Sequence, residues 1–278
     1  MTGSNITHAD TGLGTTFERW ALNRALKQLQ QTYGFERVLE GPGDGMTGIA
    51  GINSLILGLQ GCEVTLALGD AERAAFARRV WQTHAPQAAF STEETAGMPF
   101  PDQSFDLAWN FNILTRAADP QGLLAEMARV SRRYVFFCVP NAQNYAFWLH
   151  RLHHRVAKQA WDHGDVGLMR PAPWKALAGR MGLRVHEVLY LDCPWWPDIV
   201  DMGQLIADFF PLMKKAAQKA KPEQRMKWEA YALPYYQPER HPEVHRQMAK
   251  LAFFENSRAA WLKRLFGHHF GIFAERMK

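Results

Sequence analysis

Cysteine is scarce in this chain. Cys62, Cys138 and Cys193 stand far apart among 278 residues, and no two form a CxxC pair. That spacing offers no disulfide framework and no metal-binding pattern with histidine, and it fits a reducing compartment. Long apolar runs are also missing: none approaches the roughly 18–20 residues that span a bilayer. The first residues, Met1 to Asp10, hold neither a basic n-region nor an apolar h-region, so no secretory signal is expected. Internal repeats, low-complexity tracts and sharp linkers are absent too. The expectation is a soluble cytoplasmic protein.

What is present is apolar material, 47% of the residues, enough for one sizeable core with a cap or small second subdomain. The net charge of +5 is unevenly placed. From Lys214 to Lys278 there are 14 Lys/Arg against 6 Asp/Glu, leaving 18 and 21 of the chain's 32 and 27 for everything before. This basic excess suits either a solvated helical face or attraction to an anionic substrate, a lipid surface or nucleic acid.

The chain is organised around Phe35 to Ile49, where a short apolar strand (Val38, Leu39) runs into Gly41, Gly43 and Gly45 and then into a helical pattern from Met46. Glycines let the backbone approach a ligand closely, and a helix N-terminus behind them presents bare N–H groups. Further strands are expected at 62–68, 88–91, 107–110 and 134–139, with helices at 16–33, 46–59, 71–83 and 120–131. Such alternation predicts an α/β doubly wound, mostly parallel sheet whose ligand lies outside the carboxyl ends of the strands, near the switch point of strand order.

Residues 1–15 read as a loose arm, so 1–34 is taken as N-terminal arm and helix, and 35–192 as the core. Helices are expected at 145–158 and 174–182 and a strand at 183–191. The helical, aromatic-rich stretch 193–265 is too long for a connection and reads as a cap inserted before a closing strand in 266–278.

Fifty residues beyond the glycine turn comes Met98-Pro99-Phe100-Pro101-Asp102-Gln103-Ser104-Phe105-Asp106, then the helix Leu123 to Ser131 and the strand Phe136 to Val139 ending in Pro140-Asn141. This series resembles the class I S-adenosylmethionine-dependent methyltransferases, type 11-like, over roughly residues 35–191. The resemblance implies a Rossmann-like sheet with an antiparallel last strand, and S-adenosyl-L-methionine as cofactor. It implies that Gly41, Gly43 and Gly45 hold the methionine and ribose part, that Glu94 meets the adenine amino group, that Met98 packs on adenine and that Asn110 lines the floor under the reactive methyl. In the family an acid stands two residues before the first glycine, and another ends the second strand. Here those positions are Leu39 and Leu68, with Glu40 one place later and Asp70 two places later. A one-residue offset in a strand reverses the face. Either a shortened turn brings Glu40 to the cofactor, and a shifted loop Asp70, or other residues do their work. The family's Glu-His pair after the fourth strand is Thr115-Arg116.

Methyl transfer from a sulfonium depends mainly on alignment, and a base is needed only if the acceptor must lose a proton. The candidate for that role is His163, in Trp161-Asp162-His163-Gly164-Asp165 after the fifth strand. Asp192, ending the sixth strand, is a second candidate or else the cap of the next turn, while His153-His154 read as part of the basic amphipathic helix Tyr145 to Lys158 and His268-His269 as strand residues. No histidine cluster shows ligand spacing, so no metal is expected. Trp195-Trp196-Pro197-Asp198 with Tyr231, Tyr235 and Tyr236 offers an aromatic wall for an apolar acceptor, or simple cap packing. The leading expectation is therefore a methyltransferase acting on a small or hydrophobic acceptor, lipid-like ones included, with peripheral membrane contact through the amphipathic helix. The rivals are a methyltransferase-fold scaffold that has lost transfer activity and an RNA methyltransferase. Asn110-Phe111-Asn112 is not the Asn/Asp-Pro-Pro-Tyr sequence of base amino methyltransferases, and no RNA-binding module is visible, so nucleic acid is disfavoured.

Overall fold

Val38 and Leu39 are neighbours in sequence and lie on opposite faces of one sheet, because side chains alternate along a strand. The computed structural model describes residues 6–43, 48–84, 88–92, 98–196 and 226–277. Its strands are β1 (Ala9–Thr11), β2 (Arg37–Glu40), β3 (Glu63–Ala67), β4 (Ala88–Ser91), β5 (Phe105–Phe111), β6 (Ser131–Pro140), β7 (Leu183–Leu191), β8 (Lys227–Glu229) and β9 (His269–Arg276). Its helices are α1 (Leu13–Tyr33), α2 (Leu55–Leu59), α3 (Ala71–His84), α4 (Pro120–Val130), α5 (Phe147–Val156), α6 (Pro171–Arg180), α7 (Pro242–Leu251) and α8 (Ala260–Phe266).

Seven strands form one sheet in the order β4-β3-β2-β5-β6-β9-β7. The first five are mutually parallel, and β9 lies antiparallel between β6 and β7. This is the Rossmann-like methyltransferase fold expected from the sequence, closed by an antiparallel last strand. Val38, Trp109 and Phe136 pack on one face with Phe17 of α1 and Trp81 of α3. On the other face Leu39, Ala108 and Phe137 pack with Met127 of α4 and Trp174 of α6. All seven residues of β5 are buried, as a strand covered on both faces requires. The chain progresses from β2 to one edge and restarts at β5 toward the other, so the switch point lies between the ends of β2 and β5.

Two local readings need correction. The helix expected at 46–59 begins only at Leu55. Gly48 stands at φ 96°, and a Cβ there would lie 2.3 Å from Asp10 Oδ1, so this stretch is a loop pressed on the N-terminal segment. The arm at 1–15 is not loose where it is described: β1 pairs antiparallel with β8, and α1 starts at Leu13. Asp10 is fully buried and pairs with Arg19, Nε to Oδ2 at 2.9 Å. Arg19 also donates to Ile49 O (2.8 Å) and to Asn53 Oδ1, while Ile49 N donates to Asp10 Oδ1 (2.8 Å). The expected aromatic wall is divided likewise. The Tyr235 hydroxyl donates to Asp10 and that of Tyr236 to Ile52 O, both tyrosines being buried under the loop, whereas Trp195 and Tyr231 are exposed. Pro197, Asp198 and the rest of 197–225 lie outside the described residues.

Candidate active site

The glycine turn lies across the switch point. Gly41 N donates to Trp109 O and Gly43 N to Ala67 O, both at 2.9 Å, which draws the turn against the ends of β5 and β3. A Cβ on Gly43 would sit 2.6 Å from Leu68 Cδ2, so the close approach needs glycine. Gly45 and Glu94 lie outside the described residues. Met98 is buried among Leu39, Ala67 and Ala108, beside the turn. Its carbonyl accepts from Arg129 Nη2 (2.8 Å), whose guanidinium also donates to Phe100 O (2.9 Å), Asp102 (2.6 Å) and Glu126 (2.9 Å). Arg129 is thus the clamp that shapes the Pro-Phe-Pro-Asp block. Asn110 is fully buried; its Nδ2 donates to Met127 Sδ (3.2 Å) and its Oδ1 has no hydrogen-bond partner.

The two displaced acids are engaged elsewhere. Glu40 is buried, and its carboxylate accepts from Asn53 Nδ2 (3.0 Å) and Ser54 N (2.9 Å) at the start of α2. It therefore props the loop from within instead of reaching outward, and burial raises its pKa against these hydrogen bonds. Asp70 caps α3, accepting from Arg73 N at 2.7 Å. Helix start and strand end compete for the same carboxylates here, and the local backbone donors hold them. Leu68, which stands where the family has its second acid, is buried against the glycine turn.

Further along the same edge of the sheet is a cavity of about 260 Å³ between the ends of β5, β6 and β7 and the start of β9. Its inner wall holds Glu18, Asn112, Asp192, His268 and His269. Asn112 (φ 56°) and Asp192 (φ 55°) turn the chain in the left-handed region, which Asn and Asp enter more readily than other side chains. His268 Nδ1 lies 3.0 Å from Asp192 Oδ2, and Asn112 Nδ2 lies 3.0 Å from His269 Nε2. The Nδ1 of His269 is 3.8 Å from carboxylate oxygens of both Glu18 and Asp192. Burial pushes the His269 pKa down to about 4, so the ring is neutral at pH 7. The buried Oδ1 atoms of Asp192 and Asn112 have no hydrogen-bond partner. Asn141 sets this wall by donating to Arg264 O and Gly267 O, both 2.8 Å, which fixes the lead into β9.

The outer wall holds His150, Trp161 and His163. His163 reaches it because its loop is pinned to the turn after β5: Asp165 N donates to Thr115 O at 2.7 Å. Gly164 passes that carbonyl at φ 101°, where a Cβ would lie 2.3 Å from Thr115 O. The His154 Nε2 stands 3.2 Å from the Nε2 of both His150 and His163. Burial and the neighbouring His163 lower the His150 pKa to about 4. Where the sequence shows no histidine cluster with ligand spacing, the fold brings His150, His154 and His163 together, with donor atoms within 4.8 Å of one another. His150 and His154 are four apart on α5, hence on one face, and the fold supplies the third. That i,i+4 pair was visible in the sequence; the partner at 163 was not. His153 is buried on the same helix.

Residues 47–139 match the family model described as a methyltransferase domain. No curated protein matches the sequence. Among solved structures, a SAM-dependent methyltransferase of Thermotoga maritima, described as a possible histamine N-methyltransferase, aligns at 14% identity with TM-score 0.53, over 95% of this chain and 92% of its own. A Haloferax volcanii methyltransferase crystallised with the Trm112 activator aligns at 18% identity with TM-score 0.52, over 95% and 93%. The magnesium protoporphyrin IX methyltransferase of Synechocystis PCC 6803, with bound SAH, aligns at 13% identity with TM-score 0.51, over 64% and 78%. At these identities the structural likeness speaks for the fold. Together with the methyltransferase-domain match over residues 47–139, the strand order and the glycine turn at the switch point, it gives the chain the Rossmann-like fold of the class I S-adenosylmethionine-dependent methyltransferases.

Proposed function

We propose that the chain methylates a small polar acceptor bound in the cavity between β5, β6, β7 and β9. The observation that carries this reading is the cavity's inner wall, where carboxylate, amide and imidazole groups converge on the same edge of the sheet as the glycine turn. A lining of that kind favours a hydrogen-bonding molecule over a lipid-like one. The cofactor's place would be the glycine turn, where the backbone of Gly43 packs directly on Leu68 and leaves no room for a side chain, and the unpaired Asn110 Oδ1 is an acceptor a polar ligand could satisfy. Gly41, Gly43, Met98 and Asn110 would hold it, together with Gly45 and Glu94; Glu40 and Asp70 would act by shaping the turn and the next helix.

Bound S-adenosylmethionine supplies an activated methyl, so displacement depends on alignment. The chain's own work is to orient the acceptor and take its proton. Asp192, buried, anchored on His268 through Oδ2 and open at Oδ1, is the group placed to accept a proton from an acceptor N–H or O–H. His163 would meet the acceptor from the outer wall. Peripheral membrane contact would use the outer stripe of α5, where Trp148, Leu152 and Val156 are exposed at helical spacing. Among the described residues no helix is long and apolar enough to cross a membrane.

Calorimetric titration with S-adenosylmethionine, followed by transfer of labelled methyl to a panel of small amines, alcohols and carboxylic acids, tests this reading. Wild-type protein should bind the cofactor, and Gly43→Val should lose binding. Asp192→Asn should keep cofactor affinity and lose about 10²-fold in turnover. No heat and no thermal shift at millimolar cofactor would overturn the proposal in favour of a scaffold.

A further inference from the structure

We propose that His150, His154 and His163 form a binding site for one divalent transition-metal ion, zinc by the chemistry of its donors, in the outer wall of the acceptor cavity. The proposal does not depend on the acceptor or the cofactor. Its first support is distance. The Nε2 atom of His154 lies 3.2 Å from the Nε2 of His150 and 3.2 Å from that of His163. Two ligands of a tetrahedral zinc ion at a bond length of about 2.0–2.1 Å stand about 3.3 Å apart. All three donor atoms lie within 4.8 Å of one another.

The second support is the proton count. His154 Nδ1 lies 2.9 Å from Ala160 O, and a carbonyl only accepts, so Nδ1 carries a proton, and in the neutral ring it is the only one. That leaves Nε2 with one bare lone pair in the ring plane, facing two other imidazoles. A single lone pair accepts one good hydrogen bond, so a purely hydrogen-bonded trio leaves one of the two close contacts unsupported. A cation at the convergence point satisfies all three nitrogens, and the Nδ1–H to carbonyl bond is the outer contact that orients a metal-binding histidine.

The frame is also built. His150 and His154 project from one face of α5. Trp161 packs on all three rings, with centroid separations of 5.6, 5.3 and 4.8 Å to His150, His154 and His163. Its Nε1 donates to Gly164 O at 2.9 Å, tying the ring to the turn that carries His163. Asp162 Oδ1, 3.4 Å from His163 Nε2, supplies negative charge at the edge of the site. His150 and His163 line the cavity, so an ion on the trio would face the acceptor with a coordination position to spare.

The test uses tag-free, full-length protein stripped with chelator. Zinc is titrated in competition with a chromophoric chelator, and cobalt(II) is added separately to read coordination from its visible spectrum. Wild-type protein should bind one zinc per chain, give the intense bands of tetrahedral cobalt and gain thermal stability with zinc. His154→Ala and His163→Ala should each weaken zinc at least about 10–100-fold. His241→Ala, remote from the trio, should change nothing. His163→Gln, in a half-exposed loop, serves if His154→Ala does not fold. Absence of zinc binding at micromolar concentration would overturn the proposal. So would one equivalent that survives both histidine variants and disappears in Asp192→Asn, because that ion would sit in the Glu18–Asp192–His269 triad instead.

Discussion

Asp10 and Arg19 show how much one buried pair can govern. Both side chains are fully excluded from water, and together they hold the backbone of Ile49 and the amide of Asn53. Asn53 in turn holds Glu40 at the end of β2. Removing one partner leaves an uncompensated charge in a dry interior. Asp10→Ala should therefore cost about 3–5 kcal/mol in urea unfolding. The double variant Asp10→Leu with Arg19→Met should cost less than Asp10→Ala alone, since replacing a buried pair by apolar groups removes the desolvation penalty too. A loss below about 1 kcal/mol for Asp10→Ala, the range of an exposed pair, would show that water reaches the site.

At the level of elements, the segments that line the cavity are set by contacts between loops. Among the described residues no strand pairs with the loop that carries His163; Thr115 O, accepting from Asp165 N, holds it. Gly164 passes that carbonyl in a conformation closed to other residues, so Gly164→Ala should destabilise by about 1–3 kcal/mol and displace the loop. Urea unfolding measures the first effect and loss of acceptor turnover the second; an unchanged protein would mean the loop is not pinned there. Strands and longer helices were legible because their apolar residues repeat with periods of two and 3.6. Asp119-Pro120 opens α4 as its sequence suggests, with Asp119 Oδ1 accepting from Gly122 N at 2.9 Å. The short α2 was not legible: Ile49, Ile52, Leu55, Ile56 and Leu59 keep helical spacing, yet most of that stretch is loop. Burial against β1 and Tyr236 imposes on it what propensity does not.

For the whole molecule, acid sensitivity follows from carboxylates tied into the sheet. Glu275, on β9, accepts from His186 Nε2 at 2.8 Å and Arg184 Nη2 at 2.7 Å, which lowers its pKa from 4.5 to about 2. Asp106 accepts from Glu36 N and Arg37 N and pairs with Arg132, and its pKa is lowered as well, the hydrogen bonds outweighing burial. A depressed folded-state pKa stabilises above the unfolded value and is lost as pH falls through the folded one. The melting temperature should therefore decline from about pH 4.5 toward pH 2, and Glu275→Gln should flatten that decline. Equal slopes for variant and wild type would remove Glu275 from the account.

Sequence alone determined the layering of this protein: strand and helix periods are local properties, and the glycine turn with its Pro-Phe-Pro-Asp partner marks the edge of the sheet where the cofactor site is proposed. Tertiary structure decided what the polar groups do. Whether Glu40 and Asp70 face the cofactor is open in the sequence; in the fold, nearby backbone and amide donors claim them. His150, His154 and His163, read separately as a helix face and a loop, converge because one carbonyl at Thr115 receives one loop. Asp192, His268 and His269 meet because Asn141 anchors the return of the chain into β9. A hydrophobic pattern specifies which face is buried; only folding specifies which polar atoms then share the space that remains.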